Sequence, residues 1–280
     1  MNRDWEKMNQ TPPVIGACMP VEEISNFRDW LFDKDRDLEL QSFTQSSVLD
    51  GDWRPLAQEA VRLLDGHKGR LGIHGPFWGL TLSSPDPEIQ RVVSHRMMQG
   101  LEVCSALGAT QMVVHSPFSH WTRNNFPRFH AWRQGVHDAI EATLKDAIQR
   151  AESEGITIVL ENIEDCDPAA RVDFAKEVGS PALQISLDTG HAECARGMTG
   201  SPPVDYYVRE AGSMLRHVHL QDCDGYADRH WALGEGTIHW NSVFRALSEI
   251  DADPHLVLEL RDYATIPKAM AYLEREGLGQ

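Results

Sequence analysis

Nine acids and histidines in this chain have the types and placings to hold a divalent cation: His74, His115, Glu161, Asp188, His191, His219, Asp228, His230 and Glu259. The densest stretch reads Arg216-His217-Val218-His219-Leu220-Gln221-Asp222, followed by Asp228-Arg229-His230-Trp231 and Gly234-Glu235-Gly236. Basic and apolar residues alternate in its first half, as in a half-buried strand that ends on a histidine, and the Asp-x-His behind it falls in a loop. Imidazole nitrogen and carboxylate oxygen ligate zinc, manganese, iron and cobalt alike, so the set points to a divalent metal without choosing one. Singly, a histidine at a strand end is more often a hydrogen-bonded structural residue, and an acid there more often caps a helix. Nine such groups packed together would be too costly without cations between them, because buried charge must be paired or coordinated.

The elements that would bring them together are eight short apolar runs: Val14–Cys18, Leu38–Phe43, Leu71–His74, Gln111–His115, Thr157–Glu161, Leu183–Asp188, His217–Leu220 and His255–Leu260. Runs of this kind, separated by amphipathic stretches, read as buried parallel strands. Helices are expected at Glu88–Leu107, Trp132–Glu154, Pro168–Val178, Asn241–Glu249 and Pro267–Arg275, the first three stopped by Gly108, Gly155 and Gly179. Eight alternations without a break in composition predict an α/β fold with a single (β/α)8 barrel over residues 14–280, preceded by a tail over residues 1–13. An open doubly wound sheet is the second choice, weakened because no G-x-G-x-x-G follows the first run. In a barrel all C-terminal strand ends open onto one mouth. His74, His115, Glu161 and Asp188 close four of the eight runs, His219 and Glu259 stand one residue before the end of two more, and His191 and the Asp228/His230 loop follow two of these six.

Composition narrows the function classes. A net charge of −16 with no Lys/Arg run argues against a nucleic-acid partner. No apolar run is long enough for a membrane span, and the polar first residues lack the core of a secretory signal, so a cytoplasmic protein is expected. Five scattered cysteines without C-x-x-C form no disulfide framework, although Cys194 and Cys223 fall near the proposed site.

The segments Leu187-Asp188-Thr189-Gly190-His191-Ala192, Val218-His219-Leu220-Gln221-Asp222, Asp228-Arg229-His230 and Gly234-Glu235-Gly236, with Val159-Leu160-Glu161-Asn162 and Val113-Val114-His115, resemble the xylose isomerase-like TIM-barrel superfamily. That superfamily holds sugar and sugar-phosphate isomerases and epimerases and also the endonuclease IV enzymes. The likeness to its isomerase branch implies one metal on Glu161, Asp188, His219 and Glu259. The endonuclease IV pattern implies up to three ions: one on His74, His115 and Glu161, one on that same four-residue set, and one on His191, Asp228 and His230. Two departures stand out. Only Cys223 to Ala227 separate Asp222 from Asp228, where endonuclease IV carries a longer insertion. The arginine that ketose epimerases place six residues after the seventh-strand histidine is Gly225 here, leaving Arg229 or Arg261 as stand-ins.

The leading expectation is a metal-dependent sugar or sugar-phosphate isomerase or epimerase acting on a small polyol-ketone. Glu161 and Glu259 would exchange a proton through an enediolate held by the metal, and His191 would orient a substrate oxygen. The alternatives are an endonuclease IV-like phosphodiesterase acting on abasic DNA and a non-catalytic metal-binding barrel. Phe77, Trp78, Phe118 and Trp121 read as pocket walls, lid packing or a subunit contact. Glu235 reads as a brace for the Asp-x-His loop, and Trp231 and Trp240 as structural. A homodimer is expected from the family likeness alone.

Overall fold

A computed structural model of the chain describes residues 11–280. Eight parallel strands close into a barrel in sequence order: β1 Gly16–Met19, β2 Leu38–Leu40, β3 Leu71–His74, β4 Gln111–His115, β5 Thr157–Glu161, β6 Leu183–Asp188, β7 Leu215–Leu220 and β8 His255–Leu258. The helices around it are α1 Ile24–Asp33, α2 Ser46–Leu49, α3 Arg54–Leu63, α4 Pro87–Leu107, α5 His120–Asn125, α6 His130–Glu154, α7 Ala169–Val178, α8 Thr189–Thr199, α9 Val204–Ala211, α10 Trp240–Glu249 and α11 Ile266–Glu276. This is the (β/α)8 barrel the alternation predicts. Residues 1–10 of the expected tail lie outside the described residues, while Gln280 N–H donates to the Pro13 carbonyl at 2.9 Å. No described helix is long and apolar enough to cross a membrane.

Several boundaries differ from the sequence reading for local reasons. β1 begins at Gly16 because Ile15 N–H is taken by the carbonyl of Gln280. β2 is three residues long and stops before Gln41. β8 ends at Leu258, so Glu259 lies just beyond the strand, although its N–H still reaches Leu220 O at 3.1 Å and keeps the strand's direction. The expected left-handed stops are present, with φ of 69° at Gly108, 68° at Gly155 and 69° at Gly179.

Strand register places the polar ends side by side: His115 is level with Glu161, and Asp188 with His219. Side chains two residues apart on a strand share a face. The layer beneath the mouth is therefore Val113, Val159, Ser186, His217 and Val257, all buried. The main apolar core lies outside the sheet, where residues such as Ile73, Met112, Leu160, Leu187 and Leu220 pack against the helices. The barrel's inside is thus free to be polar.

Candidate metal centre

The nine residues converge at one mouth in three groups. His74, His115 and Glu161 form the first; Glu161, Asp188, His219 and Glu259 the second; His191, Asp228 and His230 the third. Within each group one nitrogen or carboxylate oxygen per residue lies within 4.8 Å of the others. Glu161 belongs to two groups. Its Oε2 is 3.5 Å from His74 Nε2 and 3.4 Å from His115 Nε2, while its Oε1 is 3.1 Å from His219 Nδ1. His219 Nδ1 is also 3.4 Å from Glu259 Oε2 and 3.9 Å from Asp188 Oδ2. In the third group Asp228 Oδ2 lies 2.9 Å from His230 Nε2 and 3.5 Å from His191 Nε2.

The outward-turned nitrogens show which imidazole atom faces the centre. His74 Nδ1 meets Gly75 O at 2.9 Å, His191 Nδ1 meets Asn162 O at 2.9 Å, and His230 Nδ1 meets Glu259 O at 3.1 Å. A carbonyl only accepts, so each of these Nδ1 atoms carries its proton and leaves Nε2 free to meet a cation. Phe77 stacks on His115 with ring centroids 4.2 Å apart.

A cation fits this donor set. Glu161 Oε2 is buried without a hydrogen-bond partner. It faces two Nε2 atoms that lie 3.3 Å from each other. A carboxylate oxygen and imidazole lone pairs converging on one point repel unless positive charge lies between them.

The electrostatics express the same demand. Burial opposes charge on Glu161, yet His219, 3.1 Å from its Oε1, and the neighbouring His191 and His74 imidazoles hold its carboxyl well below the usual range. Burial pushes Glu259 up to about 7, with His219 and His230 pulling the other way. His191 and His219 are raised well above an ordinary imidazole against the effect of burial, by Asp188 for the former and Glu259 for the latter. His230, also against burial, is raised to about 9 by its hydrogen bond to Asp228 and the nearby carboxylates. Burial takes His115 down to about 3.

Two side-chain amides frame the ligands. Asn162 Nδ2 donates to Asp188 O and its Oδ1 accepts from Asp188 N, both at 2.9 Å, tying the end of β5 to the end of β6. Gln221 Nε2 donates to Asp228 Oδ1 at 2.9 Å and Asp188 Oδ1 at 3.2 Å, while its Oε1 accepts from His230 N at 3.0 Å. That contact holds His230 at φ 50°, a left-handed backbone rarely taken outside glycine. Gly190 leaves room for this amide: a Cβ there would lie 2.2 Å from Gln221 Cδ.

Three residues outside the nine complete the surroundings: Glu39, His217 and Gln41. Glu39 is buried on β2 against His217 and His219, and Gln41 Nε2 donates to Glu259 Oε1 at 2.7 Å. The one available signal was an acid inside the apolar run Leu38-Glu39-Leu40. Phe118 is 2% exposed, packs edge-on against Phe126, His137 and Phe174, and also lines the cavity beside His115. Glu235 accepts from Ala232 N at 3.0 Å, two residues after His230, and pairs with Lys268, and Asp222 holds the loop further on, accepting from Gly234 N and Trp240 Nε1 at 2.9 Å each. Arg229 is tied to Asp224 at 2.9 Å, leaving Arg261, whose Nη2 lies 3.4 Å from Asp228 O, closer to the ligands. Cys194 and Cys223 are free, buried thiols with their sulfurs 3.7 Å apart. That cavity, of about 260 Å³, opens beside His115 and is lined also by Leu80, Ser116, Phe118, Ile163 and Glu164.

Comparison with known proteins agrees with the barrel. A family model described as xylose isomerase-like TIM barrel matches residues 33–276. An uncharacterised protein of Methanocaldococcus jannaschii is 25% identical over 225 residues, covering 76% of this chain and 72% of its own. The D-psicose 3-epimerase of Ruminiclostridium cellulolyticum is 25% identical over 195 residues, 66% of this chain and 61% of that one. Among solved structures, a protein from Thermus thermophilus soaked with zinc chloride superposes with a TM-score of 0.71 at 25% identity, over 95% of this chain and 99% of its own.

Proposed function

The chain belongs to the xylose isomerase-like TIM-barrel family, and from that premise we propose that it is a divalent-metal-dependent sugar epimerase or isomerase. The observation that carries this reading is the pair Glu161 and Glu259. Their carboxylates come from β5 and from the end of β8 and face the same His219 Nδ1, at 3.1 and 3.4 Å. A bound divalent ion would supply Lewis-acid polarisation of a substrate carbonyl and its neighbouring hydroxyl. The rest falls to the protein. Glu161, held ionised, is suited to remove a proton alpha to the carbonyl. Glu259, facing the same centre from the end of β8, is suited to return one on the opposite face. Gln41 fixes Glu259, and His191, held by Asn162, is placed to orient a substrate oxygen.

The first and third ligand groups favour a second reading, hydrolysis of a phosphodiester such as abasic DNA. Proton transfer in a ketose needs only the second group, whereas clustered ions clamp the attacking and leaving oxygens of a phosphoryl displacement. The net charge of −16 favours the small sugar.

One experiment separates them. Metal-loaded protein is incubated with ketoses in deuterated water and, in parallel, with abasic DNA. Exchange of solvent deuterium into a ketose, lowered about 10²- to 10⁴-fold in Glu259→Gln, is the expected result. Strand nicking without exchange would replace the first reading by the second.

A further inference from the structure

Three of the mouth histidines, His74, His191 and His230, turn Nδ1 to a backbone carbonyl and Nε2 to the centre. His219 is reversed. Its Nδ1 faces Glu161 and Glu259, and its Nε2 meets Glu39 Oε1 at 3.1 Å and Oε2 at 3.2 Å. Glu39 is 2% exposed and projects from the short strand β2 into the barrel, on the far side of the imidazole from the other ligands. Its Oε2 also lies 3.0 Å from His217 Nε2, and His217 Nδ1 lies 2.9 Å from Ser186 Oγ. An ionised carboxylate only accepts, so His219 Nε2 turns an N–H to Glu39, while His217 Nε2 lies close to Glu39 without making a hydrogen bond. With Nε2 of His219 committed to Glu39, Nδ1, which faces Glu161 and Glu259, is the ring atom left to meet a cation.

We infer that Glu39 is a positioning residue that fixes His219 as its Nε2–H tautomer and aims Nδ1 at the ion held by Glu161, Asp188, His219 and Glu259. The inference rests on the metal reading above. His74, His191 and His230 obtain their orientation from neutral carbonyls. A carboxylate in that place also makes the opposite nitrogen a stronger donor to the metal, and loss of such a partner lowers metal affinity about 10- to 100-fold. Glu39 would then touch neither ion nor substrate, because the imidazole of His219 stands between it and Glu161 and Glu259.

The test uses zinc and manganese as probes on the full chain. Chelator competition measures affinity for wild type, Glu39→Gln and Glu39→Asp, and circular dichroism reports whether each variant is folded. The expected result is a 10- to 100-fold weaker ion in Glu39→Gln, partly recovered in Glu39→Asp. Nitrogen-15 spectra of zinc-loaded wild type give a second readout independent of any variant's folding: the proton on His219 Nε2 and the metal on Nδ1. Equal affinity in wild type and a folded Glu39→Gln, or metal on Nε2, overturns the inference. So does loss of a whole additional equivalent of metal in Glu39→Gln, which would make Glu39 a ligand itself. A wild type that retains no divalent ion would instead sink the metal reading.

Discussion

Glu161 carries more of the site than any single neighbour, since one oxygen serves the His74/His115 group and the other the His219 group. Elemental analysis of freshly purified protein should therefore show unequal losses. Glu161→Ala is expected to lose most of the bound divalent metal, and His230→Ala only the share held with His191 and Asp228; undiminished metal in His230→Ala would remove that third group from consideration. The same residues predict how the chelated protein responds to pH. His230, raised from 6.5 to about 9, contributes stability that is fully present below about 6.5 and lost as pH rises through 9. His191 and His219 act in the same sense, and Glu259 loses its contribution through about 7. Glu161 and Asp228, held below the usual carboxylate range, contribute above their unfolded values and lose this only on acidification. The melting temperature of metal-free protein should accordingly fall between pH 6.5 and 9. With metal the fall should vanish, because the cation replaces protons on the imidazoles; calorimetric titrations in buffers of different ionisation enthalpy should register that proton release.

At the scale of elements, the third ligand group depends on how closely α8 lies against the loop after β7. Gly190 in the first turn of α8 leaves space for the Gln221 amide that holds both Asp228 and His230. Gly190→Ala would push that amide aside. The expected outcome is a folded protein about 1–3 kcal/mol less stable, with the third group's metal lost and the Glu161 groups retained, read by thermal melts and elemental analysis on one sample. This joint was not legible in the sequence. The strand tips were, because six apolar runs carry an acid or histidine at their last or next-to-last position and a barrel sends every such end to one mouth. Gln221 has an amide with no metal chemistry to single it out. Glu39 sits mid-run in Leu38-Glu39-Leu40, where nothing local says whether the acid faces the barrel or the solvent; only the closed register puts it under His219. His217 reads merely as the first beat of an alternation that ends on His219.

For the molecule as a whole, the ligands come from consecutive strands around most of the barrel, from His74 on β3 to Glu259 after β8. Only β1 and β2 supply no member of the three groups, and β2 enters through Glu39 instead. Any bound cation therefore cross-links segments that the hydrogen-bonded sheet already joins, and it does so only in the closed barrel, since the unfolded chain scatters these residues over some 185 positions (259 − 74). A ligand bound to the folded state alone stabilises it by about 2.7 kcal/mol at a hundredfold excess over its dissociation constant. In a chain of this size that corresponds to roughly 5 °C per ion. Stripping metal with a chelator should thus lower the melting temperature by about 5 °C if one ion is held and about 15 °C if three are, and the number of steps on back-titration should count them. Hydrogen exchange should localise the loosening to the C-terminal ends of β3 to β8 and leave the buried Arg36 contacts at the opposite rim, to Ile15 O and Gln280 O, unchanged. A shift spread evenly over both rims would mean that the metal acts on the fold in general and not at this mouth.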